Sequence, residues 1–257
     1  MLDFEDVLVT YKSKQRGSIA LAGYRNWFPL KPSEKIAGIV ADLMGDGHLQ
    51  DSPKYRLDFS SKSTEELNRF NNEIYDLFGV KGKIRDCKTN KYNTKNLGIN
   101  NKPLARVLKQ IGVPTGAKVF TSFPIPNWIL QDKKLFARFI NRLFSCEGCV
   151  DVKSRAIELK MYKTVEKVND GIFFFNQMKT YLEKYYDIKS TKPFLEGSIS
   201  TRKDGRKTQG IRIKIKNKQS LVKFGQFVCF DEKNKQMKLE TIIKVISSLS
   251  KQEKTSI

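Results

Sequence analysis

The 257-residue sequence predicts an α/β chain of the α+β kind, made of two pseudo-symmetric αββαββα halves, each with a four-stranded antiparallel sheet. Three observations carry that prediction. An apolar helical stretch ending in an acid and a glycine occurs twice, at Asp46-Gly47 and at Glu147-Gly148, with the acids 101 residues apart. Behind each, strand-like and helix-like segments follow in the same order: two strands, a helix, two strands, a helix. A repeat near 100 residues is too long for a solenoid and suits two copies of one domain.

The elements justify themselves in chain order. Residues 1–32 form an N-terminal extension, either a short helix packed on one half or an arm that lengthens a binding surface. The first half runs over 33–120. It opens with an apolar, small-residue helix over 35–46, in which Ala37, Ala41 and Gly45 fall at i, i+4 and i+8. A strand through 55–63 puts Arg56, Asp58, Ser60 and Lys62 on one polar face. Ser63 and Thr64 then cap a helix over 64–79, with Leu67, Phe70, Ile74 and Leu77-Phe78 at helical spacing. A basic strand–turn–strand covers 81–102, and Pro103 starts a helix that ends at Gly112. Residues 121–132, within a Pro- and Gly-rich stretch, form the linker. The second half, 133–257, repeats the order with a helix over 133–147, a strand over 155–163 and a helix over 164–187. A basic hairpin over 191–218 and a C-terminal helical region follow. In that hairpin Ile211, Ile213 and Ile215 alternate with Arg212, Lys214 and Lys216, a strand with one apolar and one cationic face. Lys203-Asp204-Gly205-Arg206 supplies its turn.

The formal charge is +21, from 48 Lys+Arg against 27 Asp+Glu. Solubility does not require such an excess, so a polyanionic partner is expected, nucleic acid before an anionic membrane surface. The two hairpins 81–102 and 191–218 hold 16 basic and 3 acidic residues, +13 of the total. Concentration on ribbons rather than on an amphipathic helix favours a duplex groove over a lipid surface. Candidate duplex contacts are Arg56, Lys83, Arg85, Lys88, Arg202, Lys203, Arg206, Lys207, Arg212, Lys214 and Lys216. No run of 18 apolar residues is present, so a membrane span is not expected, and four cysteines fit an intracellular, reduced protein.

An acid at the C-terminal end of a helix meets that end's partial negative charge. If the two helices pair, Asp46 and Glu147 converge and repel, and a shared cation relieves this. Carboxylate oxygens suit Mg²⁺, and a carboxylate–Mg²⁺ centre in a DNA-binding chain suggests phosphodiester hydrolysis.

With these residues in view, the sequence resembles the LAGLIDADG homing endonucleases. Ile39-Val40-Ala41-Asp42-Leu43-Met44-Gly45-Asp46-Gly47 is similar to one copy of the nine-residue motif, and Ile140-Asn141-Arg142-Leu143-Phe144-Ser145-Cys146-Glu147-Gly148 to a second. The stretch Gly112–Lys118 is similar to a loop of the archaeal and intein branch, and the likeness covers roughly 33–245. The resemblance implies a monomeric DNA endonuclease with two or three Mg²⁺ ions held by Asp46 and Glu147 and by the backbone carbonyls of Gly45 and Cys146. It implies a catalytic basic residue at the end of the second strand of each half, here Lys62 and Lys163. It also implies paired motif helices at the centre of a DNA-binding saddle, a double-strand break with short 3′ overhangs, and a long non-palindromic target. The alternatives on the same fold are an RNA-splicing maturase, a non-cleaving DNA-binding regulator and an endonuclease domain from an intein. Arg142 stands at the motif's third position, where the family has a small residue. No G-x-x-x-x-G-K loop occurs, so no nucleotide cofactor is expected, and Cys146-x-x-Cys149 lacks the further ligands that zinc requires.

Overall fold

The computed structural model describes residues 1–87 and 93–255, which form two compact units: Met1–Thr121 with Pro126–Ile129, and Ser122–Ile125 with Leu130–Ile257. In chain order the elements are α1 (Phe4–Leu8), α2 (Lys14–Leu21), a 3-10 helix (Ala22–Trp27), α3 (Glu34–Met44), β1 (Gly47–Leu49), β2 (Arg56–Ser61), α4 (Thr64–Phe78), β3 (Lys83–Asp86), β4 (Lys95–Asn100) and α5 (Lys102–Gln110). They continue with α6 (Asn127–Leu130), α7 (Lys133–Glu147), β5 (Gly148–Asp151), β6 (Ala156–Thr164), a 3-10 turn (Val165–Lys167), α8 (Val168–Tyr186), β7 (Phe194–Thr201), β8 (Lys207–Ile215), α9 (Lys218–Phe227) and α10 (Lys233–Thr255).

Each unit holds one antiparallel sheet, in the orders β1-β2-β4-β3 and β5-β6-β8-β7. The two orders are the same topology, so the duplication expected from the acid–Gly repeat is present in the fold. Part of the proline-rich stretch expected as a linker is helical, as α6.

In the first unit Leu57, Phe59, Leu97 and Ile99 face inward from β2 and β4. The apolar stripe of α4 (Leu67, Phe70, Ile74, Phe78) is buried with them, and Phe70 stacks on Phe59 at 4.5 Å between ring centroids. Ser63 caps α4 by accepting from the Glu66 amide, as the Ser-Thr start predicts. At about 1.5–3 kcal/mol for each fully buried large apolar side chain, this layer holds the sheet far more strongly than any single polar contact. Residues 1–32 pack on this unit: Leu2 bridges Leu30, and the Trp27 indole N–H donates to the Phe78 carbonyl at 3.0 Å. In the second unit Phe174, Phe175, Met178 and Leu182 of α8 are buried, as are Ile157, Leu159, Ile211, Ile213 and Ile215 on the inner sheet face. No helix among the described residues is long and apolar enough to cross a membrane.

Candidate active site and nucleic-acid interface

Each motif helix hands its chain directly to the first strand of its unit. A Cβ on Gly47 would lie 2.6 Å from the Leu43 Cα, and one on Gly148 would lie 2.5 Å from the Phe144 carbonyl oxygen. Both neighbours are backbone, so only glycine lets the strand start this close over the last helical turn. The preceding residues, Asp46 and Glu147, are thereby set at the helix–strand junction, and both are exposed. The Ser60 amide donates to the Asp46 backbone carbonyl at 3.3 Å, which ties this junction to the polar face of β2.

A lysine meets the end of each motif helix. In the first unit the Lys118 ammonium donates to the Gly45 carbonyl oxygen. In the second, Lys235 donates to the carbonyls of Ser145 (2.5 Å), Cys146 (3.0 Å) and Phe144 (3.3 Å). The last carbonyls of a helix lack intrahelical partners and carry partial negative charge, so a cation there satisfies both needs. Neither lysine stands out by pattern. Lys118 ends the Gly112–Lys118 loop and was legible only as part of a resemblance; Lys235 is one of many lysines in its segment.

The resemblance assigns the catalytic basic residue at the end of each second strand to Lys62 and Lys163, and the structure separates the two. Lys62 is exposed just beyond the end of β2. Lys163 is a correction. It is 1% exposed, on the inner face of β6, with its ammonium 4.0 Å from the centre of the Phe123 ring. Strand register gives the reason. Gly47 pairs with Phe59 and Gly148 with Leu159, so the counterpart of Lys62 is Tyr162, and Lys163 is one residue out of phase. Successive strand residues point to opposite faces, so that single step sends the side chain into the core.

The duplex-contact candidates fall into three sets. Lys83 and Arg85 are exposed on the edge strand β3 and Lys216 just beyond β8, while Lys88 lies outside the described residues. Arg202, Lys203, Arg206 and Lys207 crowd the exposed hairpin turn, where Gly205 takes φ +79. Arg56, Arg212 and Lys214 are engaged with acids of their own sheet face. Arg56 holds Asp58 at 2.7 Å, and Arg212 and Lys214 hold Glu158 at 2.8 and 2.6 Å.

Arg142 is also accounted for. It is 1% exposed and pairs with Asp231 at 2.9 Å, within its own unit. Its motif neighbours Asn141 and Ser145 hydrogen-bond to the backbone at Val228 and Asp231, so this face of α7 packs on the α9–α10 connection. In the first unit the buried motif residue Asp42 pairs with Arg69 of α4 at 3.0 Å. Among the described residues no group of three or more His, Cys, Asp or Glu side chains converges, and Cys146 and Cys149 are not disulfide-bonded.

No family model matches the chain. Full-length DUF199/WhiA from Thermatoga maritima, whose N-terminal domain is a LAGLIDADG domain, superposes with a TM-score of 0.52 at 15% identity over 86% of this chain and 63% of its own. This is the double-motif LAGLIDADG fold. The homing endonuclease I-DmoI is similar at a TM-score of 0.47 and 16% identity, over 76% of this chain and 88% of its own. Curated relatives also match in sequence. A tRNA-splicing ligase RtcB of Methanopyrus kandleri is 26% identical over 65% of this chain and 20% of its own length. A glutamine–fructose-6-phosphate aminotransferase of Methanocaldococcus jannaschii is 24% identical over 87% of this chain and 19% of its own length. The chain thus spans about a fifth of the length of the curated relatives it matches. In LAGLIDADG terms, Asp46 and Glu147 hold the motif's eighth position in the two units, and the lysine-capped carbonyls of Gly45 and Cys146 its seventh.

Proposed function

We propose that this chain is a site-specific DNA endonuclease that makes a Mg²⁺-dependent double-strand break, each unit cutting one strand of a long, non-palindromic duplex. One observation carries the reading: an exposed acid stands at the end of the motif helix in both units, and in both a lysine ammonium sits on the adjoining carbonyl. The helix end alone accounts for the lysine, but binding alone does not call for an exposed acid beside it in both units.

The donor set fits the metal. Asp46 and Glu147 offer hard carboxylate oxygens, and the Gly45 and Cys146 carbonyls already accept a cationic partner. In each unit the acid and the adjoining carbonyl would hold Mg²⁺, which when bound supplies Lewis acidity and a more acidic water. Lys118 and Lys235, bound to the carbonyls just before the acids, stabilise negative charge as it develops on the phosphate and orient the attacking water. They take the catalytic roles that the resemblance implies for Lys62 and Lys163, and Lys62, exposed beyond β2, serves instead as a phosphate contact. The exposed bases of β3 and of the β7–β8 turn hold the backbone of the duplex.

The curated relatives support a mobile-element origin. An RNA ligase and an aminotransferase have unrelated chemistries, yet each shares with this chain a stretch of only a fifth of its length. A segment common to both belongs to neither activity, and an inserted intein-type endonuclease accounts for it.

The test is cleavage of a randomised duplex library in Mg²⁺, read by sequencing the new ends. A defined site with 3′ overhangs is expected, lost in the double variant Asp46→Asn, Glu147→Gln. No cleavage by the wild type, or undiminished cleavage by the double variant, refutes the reading.

A further inference from the structure

The cations of the second sheet are of two kinds, and two acids make the difference. On the polar face of β6, β7 and β8, Lys160, Arg212 and Lys214 interleave with Glu158 and Glu196. Arg212 bridges Glu158 (2.8 Å) and Glu196; Lys160 holds Glu196 at 2.8 Å; Lys214 holds Glu158 at 2.6 Å. These three cations and two acids sum to +1. A few residues along the same ribbon, the turn carries Arg202, Lys203, Arg206 and Lys207 against Asp204 alone, a sum of +3.

The backbone is shaped to hold Glu196 there. Between Leu195 and Ile199 the β7–β8 register slips, and Glu196, Gly197 and Ser198 stand opposite the single residue Gly210. The Gln209 side-chain amide donates to the Glu196 carbonyl at 2.8 Å and fixes the bulge. A Cβ on Gly210 would come within 2.0 Å of a Glu196 carboxylate oxygen, so the carboxyl lies directly over the bare glycine.

From this geometry we infer that Glu158 and Glu196 are specificity-determining residues, which lock Lys160, Arg212 and Lys214 into a nearly neutral donor array that reads base edges. The inference rests on the DNA-binding reading above. Phosphate attraction depends on net charge, which the acids remove from the sheet centre and leave at the turn. Base recognition depends on donors held at fixed angles, which the bridging of Arg212 between the Glu158 and Glu196 carboxylates provides. The turn therefore binds backbone, and the sheet centre discriminates.

The experiment is selection from a random-sequence duplex pool, with sequencing of the bound fraction and measured affinity for the unselected pool. The proteins are the wild type, Glu158→Gln with Glu196→Gln, Gly210→Ala, and Lys203→Ala with Arg206→Ala. The Gln pair is expected to bind the unselected pool about tenfold more tightly, with a salt slope steeper by roughly two ions, and to lose sequence information in one half-site. Gly210→Ala is expected to lose information at the same positions with no change in charge, because it moves the carboxyl. The turn variant is expected to weaken selected and unselected DNA alike. Unchanged information content in both the Gln pair and Gly210→Ala overturns the assignment. A wild type that enriches no duplex sequence refutes instead the DNA-binding reading beneath it.

Discussion

Lys235 donates to the carbonyl oxygen of Cys146 at 3.0 Å, one residue before the motif acid Glu147. Lys118 meets Gly45 in the same way, one residue before Asp46. Two units with different sequences thus arrive at one arrangement by different routes, a lysine from the loop after α5 in the first and from the first turn of α10 in the second. Replacing either lysine by Met is expected to slow cleavage of one strand by about 100-fold, the scale of losing one charge-stabilising donor. The lost helix-end contacts are expected to cost about 1 kcal/mol of stability. Strand-resolved gel kinetics and urea unfolding read the two effects separately; equal slowing of both strands would argue against one lysine per strand.

The acids are expected to divide the work in the same way. Asp46→Asn or Glu147→Gln alone should turn the proposed endonuclease into a nickase of opposite strands, with duplex affinity kept within about threefold, because the exposed cations proposed to hold phosphate are elsewhere. Supercoiled plasmid carrying the target would accumulate as the open circle. Complete loss of nicking in either single variant would mean that both acids serve each cut.

Lys163 gives a prediction of the opposite sign. Its aliphatic stem is packed near Gly171 of α8 and its ammonium lies over the Phe123 ring, so its work is structural. Lys163→Met keeps the length and fills the same space. Cleavage is expected to stay within about threefold of wild type, with stability changed by less than about 1.5 kcal/mol. A loss comparable with that of Lys118→Met would restore Lys163 to the active site.

What could be read from the sequence, and what could not, follows from the range of each interaction. The motif helices and β8 were legible because their signals are local: an apolar run ending in acid–Gly, and strict Ile/cation alternation over Ile211–Lys216. The duplication followed from the repeat, while the strand order within each sheet did not. Lys163 was misplaced because its strand phase depends on the pairing of Gly148 with Leu159, a register that spacing alone does not supply. Lys118 and Lys235 act on carbonyls 73 and 89 residues away, and nothing local marks them. Arg212 and Lys214 read as a cationic face because Glu158 and Glu196, which tie them down, come from two other strands.

Glu196 also makes a pH prediction. Hydrogen bonds from Lys160 and then Arg212 hold its carboxyl down from the usual 4.5 to about 2. A depressed folded-state value means that its contribution to stability is fully present above pH 4.5 and is lost as pH falls from there through about 2. The array around Arg212 therefore stays ionised throughout the neutral range, and DNA discrimination should not vary with pH between 6 and 9 on its account. Side-chain NMR of Glu196 is expected to titrate near 2. A midpoint near 4.5 would mean that the carboxyl is not held by Lys160 and Arg212 in solution.

The motif helix of the first unit contains a buried charge, and its energetics can be isolated. Asp42 is 1% exposed and pairs with Arg69 at 3.0 Å, and Arg69 also reaches Glu73 at 3.1 Å. Removing a cation from a buried carboxylate leaves a desolvated charge, so Arg69→Met is expected to destabilise the protein by about 3 kcal/mol or more. Replacing the whole pair is a different matter, because desolvating two charges offsets most of what their attraction returns. Asp42→Leu with Arg69→Met is expected to recover most of that loss, the more so because the second motif already carries Leu143 at this position. The double-mutant cycle in urea should give a coupling of about 2 kcal/mol between the two sites. Additive losses would show that Asp42 draws its stabilisation from other neighbours and that Arg69 is a surface residue in energetic terms.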